Sequence, residues 1–429
     1  MATIKPFKAL KFDSNIAGNL RDLISPPYDI ISETQYQDYI KLNPYNIIRL
    51  ELPKGKDPYN TAKSLLKNWL DSGVLKKDLE NSFYIYEEEF LVNGETKKIK
   101  GFISLVKLEE FSKKIILPHE ETLSKAKEDR LNLMKSTSCN FSQIYSLYLD
   151  EENKTSNIID TFSKSSPDIE VKDTEGIIHR IWSITNKEII NKIESQFKNR
   201  KLYIADGHHR YETAINYRNY CRKTGISKEG DPEDYIMMML VDINNSGLVV
   251  FPTHRLIKNI SHFDYNDIIN QCKKYFEVEA RHNISNIQKD LTELYNKNKK
   301  SFAFYYGNKM YTLLTLKQNL NLKEILPNFS ESLLSLDVTI LHSLILEKLF
   351  GIDKENMKNQ CNLAYTRNLD EAISSVDNGA FQCAFILNPT RVEEIKNVAL
   401  DSKKMPQKST YFYPKLITGL IMNQINPNI

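Results

Sequence analysis

The chain has 429 residues, 41% of them hydrophobic, which is enough sequence for two or three domains with buried cores. Its 58 basic and 55 acidic residues leave a net charge of +3, so bulk charge gives no support for binding to nucleic acid or to a membrane. Five widely spaced cysteines without a CxxC pair argue against a disulfide framework and favour a reducing cytoplasm. The N-terminus lacks the apolar stretch of a signal peptide, and the most apolar run, 235–241, is too short to cross a bilayer.

The first part of the chain predicts a helix followed by a hairpin. Residues 60–70 place their apolar side chains on one helical face. Strands are predicted at 83–86 and 101–106, because Asn93-Gly94 between them is a hairpin turn signal. A short strand at 114–117 leads into Pro118-His119-Glu120-Glu121-Thr122, and a polar helix is predicted from about 123 to 135.

The middle and the end of the chain alternate between strands and helices. A helix at 189–199 precedes a strand at 201–205, a sharp turn at Asp206-Gly207 and a helix at 208–222. Strands at 236–243 and 248–251 follow. Beyond Pro252-Thr253-His254-Arg255, helices are predicted at 265–275, 287–297 and 337–349, and strands at 301–306, 310–316 and 381–387. We therefore predict a mixed α/β fold with domains 1–257 and 258–429.

The segment richest in side chains that could bind ligands or catalyse a reaction is Asp206-Gly207-His208-His209-Arg210. The N–H groups and the dipole at a helix N-terminus attract anions, phosphate above all, and the two imidazoles and the guanidinium add donors there. The Asp206 carboxylate could hold Mg²⁺ or orient a histidine. The sequence therefore predicts a phosphate site with a carboxylate beside it that is able to bind metal.

Simpler interpretations of these residues stay open. Asp206 could cap the helix, and one of the histidines could be a satisfied core residue. A zinc site made by His119, His208, His209 and His254 is disfavoured, because their spacing matches neither HExxH nor a Cys/His pattern.

Further candidate residues lie outside the turn. Glu120 follows a strand and could act as a general base, although it is also an ordinary first-turn helix residue. Arg130 could meet phosphate or belong to a solvated helix face. His254-Arg255 could line the same cleft or pair with local carboxylates. Lys408-Ser409-Thr410 lacks the upstream glycines of a phosphate loop, so a Walker site is disfavoured.

The turn resembles the Asp-Gly-His-His-Arg signature of the ParB/sulfiredoxin-like superfamily, as used by free-serine kinases. More of the chain is similar to one large, mostly uncharacterised family of that superfamily (domain of unknown function 1015). The matching pieces are Pro26-Pro27-Tyr28-Asp29, Asn43-Pro44-Tyr45-Asn46, Arg49-Leu50-Glu51, His119-Glu120 with Thr122, Lys127-Glu128-Asp129-Arg130, the signature itself and Met405 to Lys415.

This resemblance implies a ParB/sulfiredoxin-like core with an additional C-terminal α/β domain. It also implies transfer of a phosphoryl group from ATP or ADP to the hydroxyl of L-serine, with Mg²⁺. The catalytic base maps to Glu120, or failing that to Glu51, and Asp206 to Arg210 would bind phosphates and Mg²⁺, with Asp206 and His208 as catalytic residues and Arg130 as a further phosphate contact. Substrate contacts are assigned to His119, Thr122, His254 and Arg255.

Several rival functions follow from the same pattern. Repair of sulfinic acids is disfavoured, because the signature position that would need cysteine is histidine. A ParB-type DNA-binding role is disfavoured, because no helix-turn-helix or basic surface is visible. A nucleotide-binding regulator or slow NTPase is the alternative to a cytoplasmic serine kinase, and a metal hydrolase is a weaker third hypothesis.

Overall fold

The computed structural model describes residues 1–120, 124–359 and 361–426. Contacts between residues divide the chain into two compact units. The first unit comprises Met1–Pro118, Thr122–Val249 and Pro414–Ile429, and the second comprises His119–Glu121 and Val250–Tyr413. The division into domains 1–257 and 258–429 stays a prediction.

The first unit contains most of the strands and long helices. Its strands are β1 (Ile4–Lys5), β2 (Leu10–Phe12), β3 (Leu75–Lys77), β4 (Phe83–Val92), β5 (Glu95–Lys107), β6 (Ile116–Leu117), β7 (Cys139–Asn140), β8 (Ile144–Tyr148), β9 (Ile169–Lys172), β10 (Ile178–Ile184), β11 (Leu202–Asp206) and β12 (Tyr235–Asp242). Its α-helices are α1 (Ser14–Ala17), α2 (Glu33–Leu42), α3 (Ile48–Glu51), α4 (Pro58–Asp71), α5 (Ser124–Thr137), α6 (Lys154–Phe162), α7 (Lys187–Phe197) and α8 (His208–Lys223). Short 3-10 helices lie at Leu20–Asp22, Tyr28–Ile30, Phe111–Lys113 and Pro232–Asp234.

Nine strands form the main sheet of this unit, in the order β6-β11-β8-β12-β5-β4-β10-β9, with β1 alongside β5. Neighbours run antiparallel, except that β11 with β6 and β12 with β8 run parallel. Every residue of β12 after Tyr235 is buried, as expected of a strand covered on both faces. Helix α7 buries Ile190, Ile193 and Phe197, whose spacing of three and four residues puts them on one helix face.

The second unit is built around an antiparallel sheet. After β13 (Val249–Phe251), its strands are β14 (His254–Ile257), β15 (Phe276–Arg281), β16 (Ser301–Tyr305), β17 (Tyr311–Leu316), β18 (Leu363–Thr366), β19 (Cys383–Ile386) and β20 (Tyr411–Tyr413). Six of them form the sheet β15-β17-β16-β19-β14-β18. Its α-helices are α9 (Tyr265–Cys272), α10 (Ile287–Asn296), α11 (Leu322–Ile325), α12 (Glu331–Leu334), α13 (Asp337–Ile340), α14 (Lys354–Asn359), α15 (Leu369–Asp377) and α16 (Val392–Leu400), with a 3-10 helix at Ile284–Asn286 and a π-helix at Leu341–Glu347.

The chain ends back in the first unit. Strand β21 (Asn423–Gln424) pairs with β7. Met422 exchanges backbone hydrogen bonds with Leu10, at N···O distances of 2.9 and 3.1 Å, and is fully buried in an apolar cluster with Leu10, Trp69 and Leu133. Met422 and Ile425 therefore belong to the buried apolar clusters of the first unit.

The mixed α/β class predicted from the sequence is confirmed. The helix predicted at 60–70 is α4, the hairpin around Asn93-Gly94 is β4 and β5, and the strand and helix around the signature turn are β11 and α8. The prediction of one helix over 337–349 was wrong, because α13 passes into a π-helix at residue 341. No helix in the described part of the chain combines the length and apolar character that a membrane crossing requires.

Candidate functional site

Strand β11 and helix α8 meet at the signature turn. Leu202 to Ala205 are buried, whereas Asp206 at the strand end is partly exposed. The register with β8 shifts between Ile204 and Asp206, so a bulge turns the strand end before the helix starts. Gly207 is the N-cap of α8, and its φ of 92° lies in the left-handed region that glycine adopts without a steric penalty. The alternative that Asp206 caps the helix is therefore wrong.

Glycine is also required here because Arg210 folds back over the turn. A Cβ atom added at Gly207 would lie 3.0 Å from both Nε and Nη2 of Arg210. The Arg210 guanidinium donates to the backbone carbonyl of Gln143, and its Nη2 donates to Oδ2 of Asp206 at 2.8 Å. The arginine is thus fixed beside the first turn of α8.

The Asp206 carboxylate is shared by two cations. Its Oδ2 pairs with Arg210, and its Oδ1 pairs with the ammonium of Lys415. Burial by itself raises the pKa of Asp206, but the charges of Lys415 and Arg210 outweigh it and hold that pKa well below its usual range. Asp206 is therefore ionised at neutral pH and holds a guanidinium and an ammonium side by side.

Lys415 is a site residue that sequence reasoning missed. It lies in the Met405–Lys415 segment that matches the uncharacterised family, but nothing in that match assigned the lysine to the turn. Its side chain is 11% exposed, similar to the 12% of Arg210.

The two histidines of the signature stand at the start of α8. His208 is buried, with 7% of its surface exposed, and its charged form lowers the pKa of Asp206. His209 is partly exposed. The structure thus places all of Asp206 to Arg210 at one helix N-terminus, as the sequence predicts.

Arg130 and Glu51 lie close to Arg210 in the same unit. The Arg130 Nη1 donates to the Glu51 carbonyl at 2.5 Å and lies 3.8 Å from Glu51 Oε1, which also accepts from Ser142 Oγ at 3.1 Å. Burial raises the pKa of Glu51, and the charges of Arg130 and Arg210 only partly oppose that rise. These side chains line a cavity of about 40 Å³, together with Thr213 and others. Arg210 therefore faces a cavity rather than a sealed core.

The predicted role of Arg130 as a phosphate contact fits less well. Its side chain is 6% exposed, and its guanidinium is bonded to Asp129 and Glu51 and stacks over the Tyr28 ring at 4.2 Å. Burial alone would lower the pKa of Arg130, yet the nearby charges of Glu51 and Asp129 raise it. We interpret Arg130 as a structural partner of Glu51.

The segment with the predicted base belongs to the second unit. His119 is fully buried, and its Nε2 lies 3.0 Å from Thr410 Oγ1. Glu120 is partly exposed, and its Oε1 accepts a hydrogen bond from the Lys408 N–H at 3.1 Å. Thr122, predicted to contact substrate, lies outside the described residues.

His254 and Arg255 are buried in the sheet of the second unit, each 1% exposed. The Nδ1 of His254 accepts from the Leu387 N–H at 3.3 Å, and burial lowers the pKa of His254 to about 4. A neutral imidazole bonded to backbone is typical of a structural histidine. The contacts of His254 therefore do not fit its predicted role in substrate binding.

No cluster of three or more His, Cys, Asp or Glu side chains that could hold a metal ion occurs within residues 1–120, 124–359 and 361–426. Of the four histidines considered above for a zinc site, His208 and His209 belong to the first unit, and His119 and His254 belong to the second.

Several solved structures are similar to this chain. One is a conserved hypothetical protein from Pyrococcus furiosus (14% identity, 70% of this chain and 89% of that chain covered, TM-score 0.34), and another is a free serine kinase in complex with AMP (13% identity, 73% and 88% covered, TM-score 0.38). A third is SbnI with a C-terminal truncation from Staphylococcus aureus (10% identity, 75% and 87% covered, TM-score 0.37).

No curated protein sequence matches the chain. The model of one protein family, described as a protein of unknown function (DUF1015), matches residues 4–339, which is well over half of the chain. With the signature turn at the helix N-terminus and this match around it, the chain belongs to the DUF1015 family.

Proposed function

We propose that this protein is a small-molecule kinase that transfers a phosphoryl group from ATP or ADP to the hydroxyl of free L-serine, giving O-phospho-L-serine. The proposal joins two supports. One is the resemblance of residues 206–210 to the signature of the free-serine kinases. The other is the charge arrangement at the N-terminus of α8.

The observation that carries the proposal is the sharing of Asp206 by Arg210 and Lys415. Phosphoryl transfer depends mainly on positioning and on neutralising the charge of the transferred group. A guanidinium and an ammonium, held at a helix N-terminus by one ionised carboxylate, supply fixed positive charge for phosphate oxygens. Asp206 then acts by positioning both cations.

In the proposed reaction the serine hydroxyl oxygen forms a bond to the terminal phosphorus, and the bond from that phosphorus to the bridging oxygen of the nucleotide breaks. The hydroxyl proton passes to a carboxylate. Glu120 is the preferred base because it is partly exposed and can meet a substrate, whereas Glu51 is 4% exposed and bonded by Ser142 and Arg130.

Mg²⁺ does not fit the carboxylate that the sequence assigned to it. Both oxygens of Asp206 are engaged by cationic side chains, and a magnesium ligand needs a free lone pair and net negative charge. In the proposed reaction Asp206 therefore holds the two cationic side chains and no metal.

The test is to incubate the purified protein with ATP or ADP, Mg²⁺ and L-serine, and to detect phosphoserine by phosphorus NMR and mass spectrometry. We expect phosphoserine to form in proportion to enzyme and time, and to disappear with Asp206→Asn. Nucleotide binding or slow hydrolysis without phosphoserine would reject the kinase and favour the nucleotide-binding regulator.

The assignment of the base is tested by comparing Glu120→Gln with Glu51→Gln. Glu120→Gln is expected to lower kcat by at least about 100-fold, because general bases contribute factors of this order, with nucleotide affinity little changed. The exposed Glu128→Gln is the matched control. If Glu120→Gln keeps full turnover and the folded Glu51→Gln variant loses it, the catalytic base is Glu51.

A further inference from the structure

Within the second unit, the segment from Met405 to Thr410 forms hydrogen bonds with His119 and Glu120. The Met405 N–H donates to the His119 carbonyl at 2.7 Å, and the Lys408 N–H donates to Glu120 Oε1 at 3.1 Å. The Thr410 hydroxyl lies 3.0 Å from His119 Nε2. Three contacts over six residues thus fix both the backbone and the side chains of this dipeptide.

The backbone of Lys408 connects Glu120 to Arg255 through its N–H and its carbonyl group. Its φ is 57°, a left-handed conformation that a residue with a side chain rarely adopts. While its N–H faces Glu120, its carbonyl accepts from Nη2 of Arg255 at 3.2 Å. Strained backbone of this kind persists where the surroundings over-determine it, which is common at functional sites.

Arg255 is a buried cation held by neutral groups. Its Nε lies 3.2 Å from His342 Nε2, and its Nη1 donates to the Thr253 carbonyl. Among the described residues no carboxylate lies within 4.0 Å of its guanidinium, although the charge of Glu120 acts on it from farther away. A buried charge without a contacting counter-ion costs stability, which packing alone does not explain.

We infer that Arg255 is a positioning residue for the proposed base: it fixes the Lys408 carbonyl, and the Lys408 N–H in turn orients the Glu120 carboxylate. This inference rests on the proposed function. It gives Lys408 a role that depends on its main-chain groups, not on the side chain of a phosphate-loop lysine. The positive charge of Arg255 also favours the ionised form of Glu120 that accepts a proton.

The first test compares Arg255→Met and Arg255→Lys with the wild-type chain. Arg255→Met is expected to lower kcat by about 10- to 100-fold, because misplacing a catalytic group by about 1 Å has effects of this size. Its KM for the nucleotide should change less than about threefold. Arg255→Lys keeps the charge and should recover part of kcat. An unchanged kcat in folded Arg255→Met would overturn the inference.

The second test addresses the backbone of Lys408. Lys408→Pro removes the N–H and also excludes the left-handed conformation, so it should lose at least as much activity as Arg255→Met. Lys408→Gly keeps both the N–H and the left-handed conformation, and should exceed Lys408→Pro in kcat at least about 10-fold. Equal loss in both variants would show that the lysine side chain is the functional group and would reject the inference. The exposed Lys403→Gly is the control.

A pH profile separates positioning from general loss of structure. In Arg255→Met the acidic limb of kcat/KM should move to higher pH, because removal of a nearby positive charge disfavours the carboxylate form of Glu120. The charge of Arg255 also lowers the pKa of His342, His254 and Tyr365, the other titratable groups on which it acts, so the same limb is measured in Arg255→Met combined with Glu120→Gln, where the shift should be absent. A uniform fall of activity with an unshifted limb would contradict the inference. A wild-type chain that makes no phosphoserine would reject the proposed function itself.

Discussion

At the residue scale, the candidate site depends on how one carboxylate is used. Asp206 lies between Arg210, four residues ahead in the same helix turn, and Lys415, 209 residues away in sequence. The contact with Arg210 is local and follows from the turn. The contact with Lys415 exists only because the C-terminal segment returns to the first unit.

Lys415→Met should weaken nucleotide binding. Removing the ammonium takes one fixed positive charge from the site and leaves Asp206 with a single cation. We expect the Kd for ADP to rise by about 10-fold or more, since charge-assisted contacts contribute about 1.5–3 kcal/mol. Isothermal titration calorimetry measures it, with the exposed Lys403→Met as control. Equal affinity in both variants would exclude Lys415 from the nucleotide site.

Removal of divalent metal should leave nucleotide binding in place. Because both oxygens of Asp206 are occupied by cationic side chains, phosphate contacts at the turn do not pass through a metal held there. In excess EDTA the Kd for ADP is expected to rise no more than about threefold, well under the roughly 1.4 kcal/mol that a tenfold change represents. A loss of binding that Mg²⁺ restores would contradict this expectation.

A buried network of polar side chains lies in the main sheet of the first unit. The Tyr86 hydroxyl lies 3.0 Å from Glu88 Oε1 and 2.7 Å from His179 Nδ1, and His179 Nε2 lies 3.2 Å from Asp173 Oδ2. Glu88 is fully buried, and its Oε2 has no hydrogen-bond partner among the described residues. Burial, with a smaller contribution from the charge of Asp173, raises the pKa of Glu88 to about 8.

Glu88→Gln should flatten the dependence of stability on pH. Glu88 stays protonated in the folded chain up to about pH 8, but ionises near pH 4.5 when unfolded, so its contribution is full in acid and is lost as pH rises between these values. The variant should be more stable than wild type at pH 8 by roughly 2–4 kcal/mol, and equal to it near pH 4. Urea unfolding at both values measures this, with exposed Glu80→Gln as control. A constant difference across pH would contradict the assignment.

At the element scale, the β11–α8 turn combines a bulge, a left-handed glycine and a helix N-terminus. The sequence predicts this turn well, because an apolar strand, a glycine and a helix-forming sequence follow one another directly. The strands β8 and β10 were missed although they lie in the same sheet. Both are buried along most of their length and carry polar residues such as Ser146 and His179, so neither shows the alternation that identifies a strand.

Gly207→Ala should damage the site more than the fold. A non-glycine residue at φ 92° costs about 1–2 kcal/mol, and the added Cβ would also displace the Arg210 guanidinium 3.0 Å away. Gly230→Ala is the matched control, since its φ is 94° and nothing lies within 4 Å of an added Cβ. Both variants should lose similar stability, but only Gly207→Ala should weaken ADP binding. Equal affinity in the two would show that Arg210 does not contact the nucleotide.

At the scale of the whole molecule, the segment 416–422 packs against distant parts of the first unit. Met422 and Leu10 exchange backbone hydrogen bonds, and Gln143 Nε2 donates to the Ile417 carbonyl at 3.3 Å. Leu416, Ile417, Leu420 and Ile421 are all buried. The segment 414–426 is thus part of the first unit's structure as well as the source of Lys415.

Met422→Ala should therefore destabilise the chain strongly. Truncating a fully buried methionine removes apolar contacts and leaves a cavity, which costs about 2–5 kcal/mol. Leu79→Ala, at an 89% exposed position of the same unit, should cost less than about 0.5 kcal/mol. Denaturant unfolding with a tryptophan signal compares them. Similar losses in both would mean that the C-terminal segment adds little to the core.

The sequence by itself determined the local features of this protein: the mixed α/β class, the hairpin at Asn93-Gly94, and the turn that places residues 206–210 at a helix N-terminus. These depend on periodicity and on glycine conformations, which act over a few residues. Only the tertiary structure decided that Lys415 pairs with Asp206, that Arg130 is committed to Glu51 and Asp129, and that Lys408 links Glu120 to Arg255. Except for the pair of neighbours Asp129 and Arg130, those contacts join residues far apart in the chain, and they depend on strand order and packing, which no local pattern encodes.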